Sequence, residues 1–158
     1  MSWQALLDAA EAIRAKALAG EQSLIEVPLA GIGWATVEGE RAQRELDEVL
    51  GPEPDAGGTA GTAGADRAAA WSEQPRDAAL GARVWLRQSP AVDDGPWLVV
   101  LEPDTEGRLA ASLARRNEGL AVIYLGTGPY RAGVFRQGGP AWGPYVVVVG
   151  RADGAAIA

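Results

Sequence analysis

Glu102 and Glu118, with Tyr124 or Tyr130 as a partner, are the residues of this chain whose types could carry acid–base chemistry. A carboxylate does such work when an apolar pocket raises its pKa toward the working pH, and a nearby phenol can complete a proton-transfer pair. For a strand-end glutamate such as Glu102 or a turn glutamate such as Glu118, the competing expectation is ordinary solvation. The rest of the repertoire is narrow. The 158 residues contain no histidine and no cysteine. That excludes imidazole bases, Ser/His and Cys/His relays, thiolate nucleophiles, disulfides and cysteine-held zinc or iron–sulfur sites. Any metal would be a hard ion on carboxylates and carbonyls, and Asp93-Asp94-Gly95 lacks the further ligand spacing of a calcium loop. No cofactor is expected.

Partners are bounded by charge. With 21 acidic residues against 14 basic ones, a formal charge of -7 and Lys16 as the only lysine, the chain lacks the basic surface that nucleic-acid binding requires. No apolar run approaches the roughly 18–20 residues that span a bilayer, and the N-terminus carries no signal-peptide pattern. The expectation is a soluble cytoplasmic protein that binds neither nucleic acid nor membrane.

The elements that must position these residues centre on 96–125. Apolar residues from Trp97 to Leu101 read as a buried strand ended by Pro103. A short helix follows, capped by Asp104 or Thr105, with Leu109 and Leu113 on one face and Asn117 or Gly119 as its left-handed stop. Leu120 to Leu125 is a second strand. Upstream, residues 2–19 predict an amphipathic helix with Trp3, Leu6, Leu7, Ala10, Ile13 and Ala17 on its apolar stripe. In the strand 31–37, Ile32, Trp34 and Thr36 share one face and the small residues Gly31, Gly33 and Ala35 the other. Residues 39–50 form the clearest helix, stopped by Gly51-Pro52. Residues 52–66 carry no large apolar side chain and are expected to form a mobile loop. Further strands are expected at 69–74, 82–88, 130–135 and 145–150.

The stretches GIGWATVEGERAQRELDEVLG, ALGARVWLR and LEPDTEGRLAASLARRNEGLAVIYL together resemble the vicinal oxygen chelate superfamily, which contains glyoxalases, methylmalonyl-CoA epimerases, extradiol dioxygenases and bleomycin-resistance proteins. The resemblance covers roughly 31–125. It implies an α+β fold, a cupped mixed sheet of the βαβββ type. Residues 31–103 would form one complete module and 104–158 a shortened second one. With 1–30 as an extra N-terminal helix and connector, the whole chain is a single domain. It places the family's metal-ligand positions at Gly31, Val99 and Val122, none of which can hold a metal. If those positions face the cup, so do Gly33, Ala35, Trp97, Leu101, Leu120 and Tyr124. Arg83, Trp85 and Arg87 would join them, because helices should cover the opposite face.

The ligand-binding residues expected on this basis are Arg83, Trp85, Arg87, Trp97, Tyr124 and Tyr130. They suit a planar or apolar small molecule, with an anionic group if the arginines contribute. Core packing is the competing role for the aromatic residues, and solvent exposure for the arginines. The resemblance therefore favours a metal-free small-molecule-binding protein. The alternatives are a metal-independent isomerase or lyase that uses Glu102 or Glu118 with Tyr124 or Tyr130, and a non-catalytic structural or regulatory subunit. A homodimer is expected as well, because the shortened second module leaves a sheet face without a helix of its own.

Overall fold

The computed structural model describes residues 2–19, 26–50, 71–87, 96–127, 130, 134–136 and 144–149. The element order is α1 (Trp3–Ala17), β1 (Leu29–Ala35), α2 (Gly39–Leu50), β2 (Trp71–Asp77), β3 (Ala82–Arg87), β4 (Trp97–Pro103), α3 (Arg108–Arg116), β5 (Gly119–Leu125), β6 (Val134–Arg136) and β7 (Tyr145–Val148). The expected loop at 52–66 lies outside the described residues.

The strands form one seven-stranded mixed sheet in the order β2-β3-β4-β1-β5-β7-β6. After α2 crosses over, β2, β3 and β4 run as an antiparallel meander that returns β4 parallel to β1, with Gly31 opposite Trp97 and Gly33 opposite Val99. That is a βαβββ unit. On the other side of β1, β5 pairs antiparallel. Strand β7 is parallel to β5 and β6 antiparallel to β7, so β5, β7 and β6 repeat the relation of β1, β4 and β3. The fold is α+β, as expected, with β1 at the centre of the sheet.

The sheet separates two apolar layers. On one face Ile32, Val100, Ile123 and Val146 pack against Leu6 and Ala10 of α1 and Ala42 and Leu46 of α2. Both helices bury the stripe that their apolar spacing marks out. The side chain of Ser2 caps α1 by accepting from the Ala5 N–H at 3.2 Å. Helix α1 lies against β5, and Val146 of β7, one of the strands whose lack of a helix motivated the expected homodimer, packs in the same layer. On the opposite face Trp97, Val99, Leu101, Val122 and Tyr124 form a second core that includes Leu109 and Leu113 of α3.

Two local expectations change. Helix α3 begins later than the spacing of Asp104 and Thr105 predicts. Its N-cap is Gly107, which offers no side-chain acceptor, while Asp104 pairs with Arg76. Asn117, by contrast, takes the positive φ (65°) at the helix end, as expected. Leu120 lies on the helix-covered face rather than the cup face. Gly33 pairs with Val122 and Trp34 with Leu120, so Ala121 is the extra residue of a bulge that reverses the alternation.

If α1 is an integral cover for the sheet, its buried leucine must be costly to lose. Leu6, 1% exposed, is expected to cost about 2–5 kcal/mol when replaced by alanine, and Leu6→Asp is expected to unfold the protein. Chemical denaturation followed by circular dichroism measures both, and a folded Leu6→Asp protein would place α1 off the sheet.

Candidate functional site

The cup face is built on glycine. A Cβ at Gly31 would stand 2.1 Å from the Trp97 ring, and one at Gly33 would stand 2.8 Å from both Leu101 and Val122 and 3.3 Å from Tyr124. Large rings on β4 and β5 therefore lie across the central strand where any side chain would exclude them. Trp97 and Tyr124 have centroids 4.7 Å apart at 51°, and Tyr130 meets Trp97 edge-on at 5.1 Å and Tyr124 at 6.0 Å. Tilted and edge-to-face contacts at these distances are the favourable ones for aromatic quadrupoles.

The cluster contains an unusual polar feature. The hydroxyls of Tyr124 and Tyr130 are buried and have no hydrogen-bond partner, although a buried phenol ordinarily finds one. Burial pushes the Tyr124 phenol well above its ordinary value, with the neighbouring Tyr130 and Asp77 adding to the effect. Burial and then Asp77 raise Tyr130 as well. Asp77 is itself buried, and its Oδ1 accepts from the N–H groups of Ala79 and Leu80 at 2.9 and 3.0 Å. Tyr145, on the same face, differs from both in that its hydroxyl donates to the Arg108 carbonyl at 2.9 Å.

Three of the six expected ligand residues, Trp97, Tyr124 and Tyr130, thus come together. Arg83, Trp85 and Arg87 do not join them. On β3 it is Val84 and Leu86 that pair with Leu101 and Val99 and share their face, which turns Trp85 toward the helices. Trp85 lies beneath the start of α2, with the Arg83 guanidinium 4.8 Å above its ring. Arg87 Nε donates to Asp47 Oδ1 of α2 at 3.0 Å, and Trp71 Nε1 donates to the other oxygen at 2.9 Å.

The two glutamates singled out as acid or base are engaged elsewhere. Glu102 Oε2 accepts from the Gly39 N–H at 2.8 Å, at the first turn of α2. Glu118 accepts from Thr36 Oγ1 (2.9 Å), the Val37 N–H (3.0 Å) and, through both oxygens, Arg41 (2.8 Å each). Burial pushes the Glu118 carboxyl up, but the hydrogen bonds from Arg41, Val37 and Thr36 outweigh it and hold the group below its ordinary value. A general acid at neutral pH needs the opposite shift. Both glutamates fasten the β1–α2 connection instead.

The positions at which the sequence resemblance places metal ligands do not fit a metal. Val99 and Val122 are fully buried hydrocarbons, and Gly31 lies under the Trp97 ring. Among the described residues no group of three or more carboxylates stands together. An open cleft of about 460 Å³ lies outside the ring cluster, between α3 and the β1–α2 connection, lined by Val37, Pro103, Asp104, Leu113, Ala114 and Glu118. Its carboxylates are already paired, Asp104 with Arg76 and Glu118 with Arg41.

No family model matches the chain, and no curated protein matches it. Solved structures of methylmalonyl-CoA epimerase are similar at low identity and over part of the chain. One, in complex with methylmalonyl-CoA and NH4+, is 18% identical with a TM-score of 0.45, over 63% of this chain and 59% of that one. A variant of the Streptomyces coelicolor enzyme in complex with 2-nitronate-propionyl-CoA is 16% identical with a TM-score of 0.44, over 63% of this chain and 61% of that one. This chain thus spans about three-fifths of the length of these structures. Among the described residues no helix is long and apolar enough to cross a membrane.

Two measurements check this description. Tyr124, Tyr130 and Tyr145 are the only tyrosines, and all three are raised above the ordinary phenol value of 10.0. Unfolding therefore releases protons above pH 10, and stability should fall from there upward. Phenolate absorbance near 295 nm is expected to rise only together with loss of structure. A titration near pH 10 in the folded protein would contradict the buried cluster. For Glu118 the sign is reversed, because folding lowers its pKa from 4.5. Its contribution is present at neutral pH and fades as pH drops through and below that value. Glu118→Gln is expected to cost about 1 kcal/mol at pH 7, allowing for solvent screening, and progressively less as the pH falls below 4.5. A pH-independent difference would refute the role.

Proposed function

We propose that this chain is a metal-independent small-molecule-binding protein whose cup face takes an apolar or aromatic ligand. The observation that carries the reading is the ring cluster of Trp97, Tyr124 and Tyr130 laid over Gly31 and Gly33. Aromatic walls with a few fixed polar groups are the usual composition of a ligand site. Tyr130, set edge-on to both other rings, completes this aromatic face.

A carboxylate-based isomerase or lyase is disfavoured by the engagement of Glu102 and Glu118 at the start of α2. The arginines expected to clamp an anion lie on the other face. Metal independence is supported by the donor set: the chain has no imidazole and no thiolate, and glycine and valine stand at the three resembling positions.

Thermal denaturation with and without a panel of small aromatic and alicyclic compounds tests the reading. At 100 times Kd a ligand adds about 2.7 kcal/mol, which for a domain of this size raises Tm by roughly 5–10 °C. The shift is expected to persist after treatment with a metal chelator. A protein stabilised by divalent metals and by no organic compound would overturn the proposal.

A further inference from the structure

We infer that the ligand of the Trp97/Tyr124/Tyr130 cup is an uncharged molecule carrying a hydrogen-bond acceptor, such as a ketone, ester, amide or quinone oxygen, to which Tyr124 donates its proton. The inference rests on the reading of this face as a ligand site, and specifies what that site selects. Its basis is the pair of buried hydroxyls without partners. A phenol both donates and accepts, but what is lost most when it stands alone is a good acceptor for its proton. Tyr124 is wholly buried and Tyr130 partly so, and their rings cross at 77° with centroids 6.0 Å apart, so they do not satisfy one another. A ligand oxygen placed between the rings completes what the chain leaves open.

Charge selects against the two ionic alternatives. The buried polar side chains among the described residues are Thr36, Asp77 and Ser112, with no buried cation. Among the described residues an anionic ligand would therefore meet no buried counter-charge, and the Asp77 carboxylate already opposes negative charge on both phenols. Among the described residues, Arg108 and Arg116 are exposed and act on Tyr145. An ammonium ligand carries donors only, so it would leave the Tyr124 proton unmatched. The same arrangement keeps the phenols protonated, and therefore donating, across the physiological range.

The test uses the full chain and four probes of one shape: acetophenone, ethylbenzene, benzoate and benzylammonium, with dissociation constants from calorimetry or ligand-observed NMR. Acetophenone is expected to bind about 3- to 10-fold more tightly than ethylbenzene, the worth of one net hydrogen bond, and more tightly than either ion. Tyr124→Phe removes only an unpartnered oxygen, so it should fold with an unchanged or higher Tm. It should bring acetophenone down to the ethylbenzene level while leaving ethylbenzene within about 2-fold. Benzoate or ethylbenzene binding as tightly as acetophenone, or a ketone preference that survives in Tyr124→Phe, overturns the inference while the cup remains a ligand site. If none of the four probes binds, the inference and the functional reading fall together.

Discussion

The absence of side chains at Gly31 and Gly33 is the constraint on which the rest of the cup face depends. β1 is the central strand, hydrogen-bonded to β4 on one side and β5 on the other, so anything on its surface stands in the middle of the sheet. With a Cβ there, the Trp97 ring would have to leave, since 2.1 Å is far inside contact distance. Without one, rings from both flanking strands converge over bare backbone and touch each other. Glycine is ordinarily a weakness inside a strand. In this strand the entropy it costs is offset by aromatic area that only an empty surface can receive.

The other face of the sheet explains why the polar chemistry of the chain is so unevenly distributed. Its charged side chains gather around α2. Arg41 bridges Glu118, Glu45 and Glu38, Arg87 joins Asp47, and Glu102 receives the first N–H of the helix. These contacts hold α2 to the ends of β1, β3 and β5, while α1 closes the sheet over β5. The carboxylates and guanidinium groups that look chemically able in the sequence are thus consumed by architecture. Among the described residues, what is buried on the cup face is hydrocarbon, aromatic rings, Asp77, Ser112 and the phenols.

Much of this was legible in the sequence. The helix at 39–50, the strand from Trp97 and the glycine face of β1 follow from apolar spacing and the two-residue period of strands, and the inward turn of Trp97 and Tyr124 from that period combined with the family resemblance. The period fails where geometry intervenes. The bulge at Ala121 moved Leu120 to the helix face, and a bulge leaves no mark in the sequence of a uniformly apolar strand. The placing of Arg83, Trp85 and Arg87 toward the cup had a signal against it. Val84 and Leu86 are the more apolar set and match a face made of valine, leucine and aromatic residues. The roles of Glu102 and Glu118 could not be read, because each depends on backbone N–H groups of the β1–α2 connection, far away in sequence.

The claim at the centre of this account is that a ligand sits among Trp97, Tyr124 and Tyr130 on the glycine side of β1. Intermolecular nuclear Overhauser effects between a bound aromatic ketone and the assigned protein test it directly. Contacts from the ligand ring to the Trp97 and Tyr124 ring protons and to the Gly31 and Gly33 α-protons are the predicted result. Contacts confined to Val37, Leu113 and Ala114 would put the ligand in the open cleft beside α3 and contradict the account.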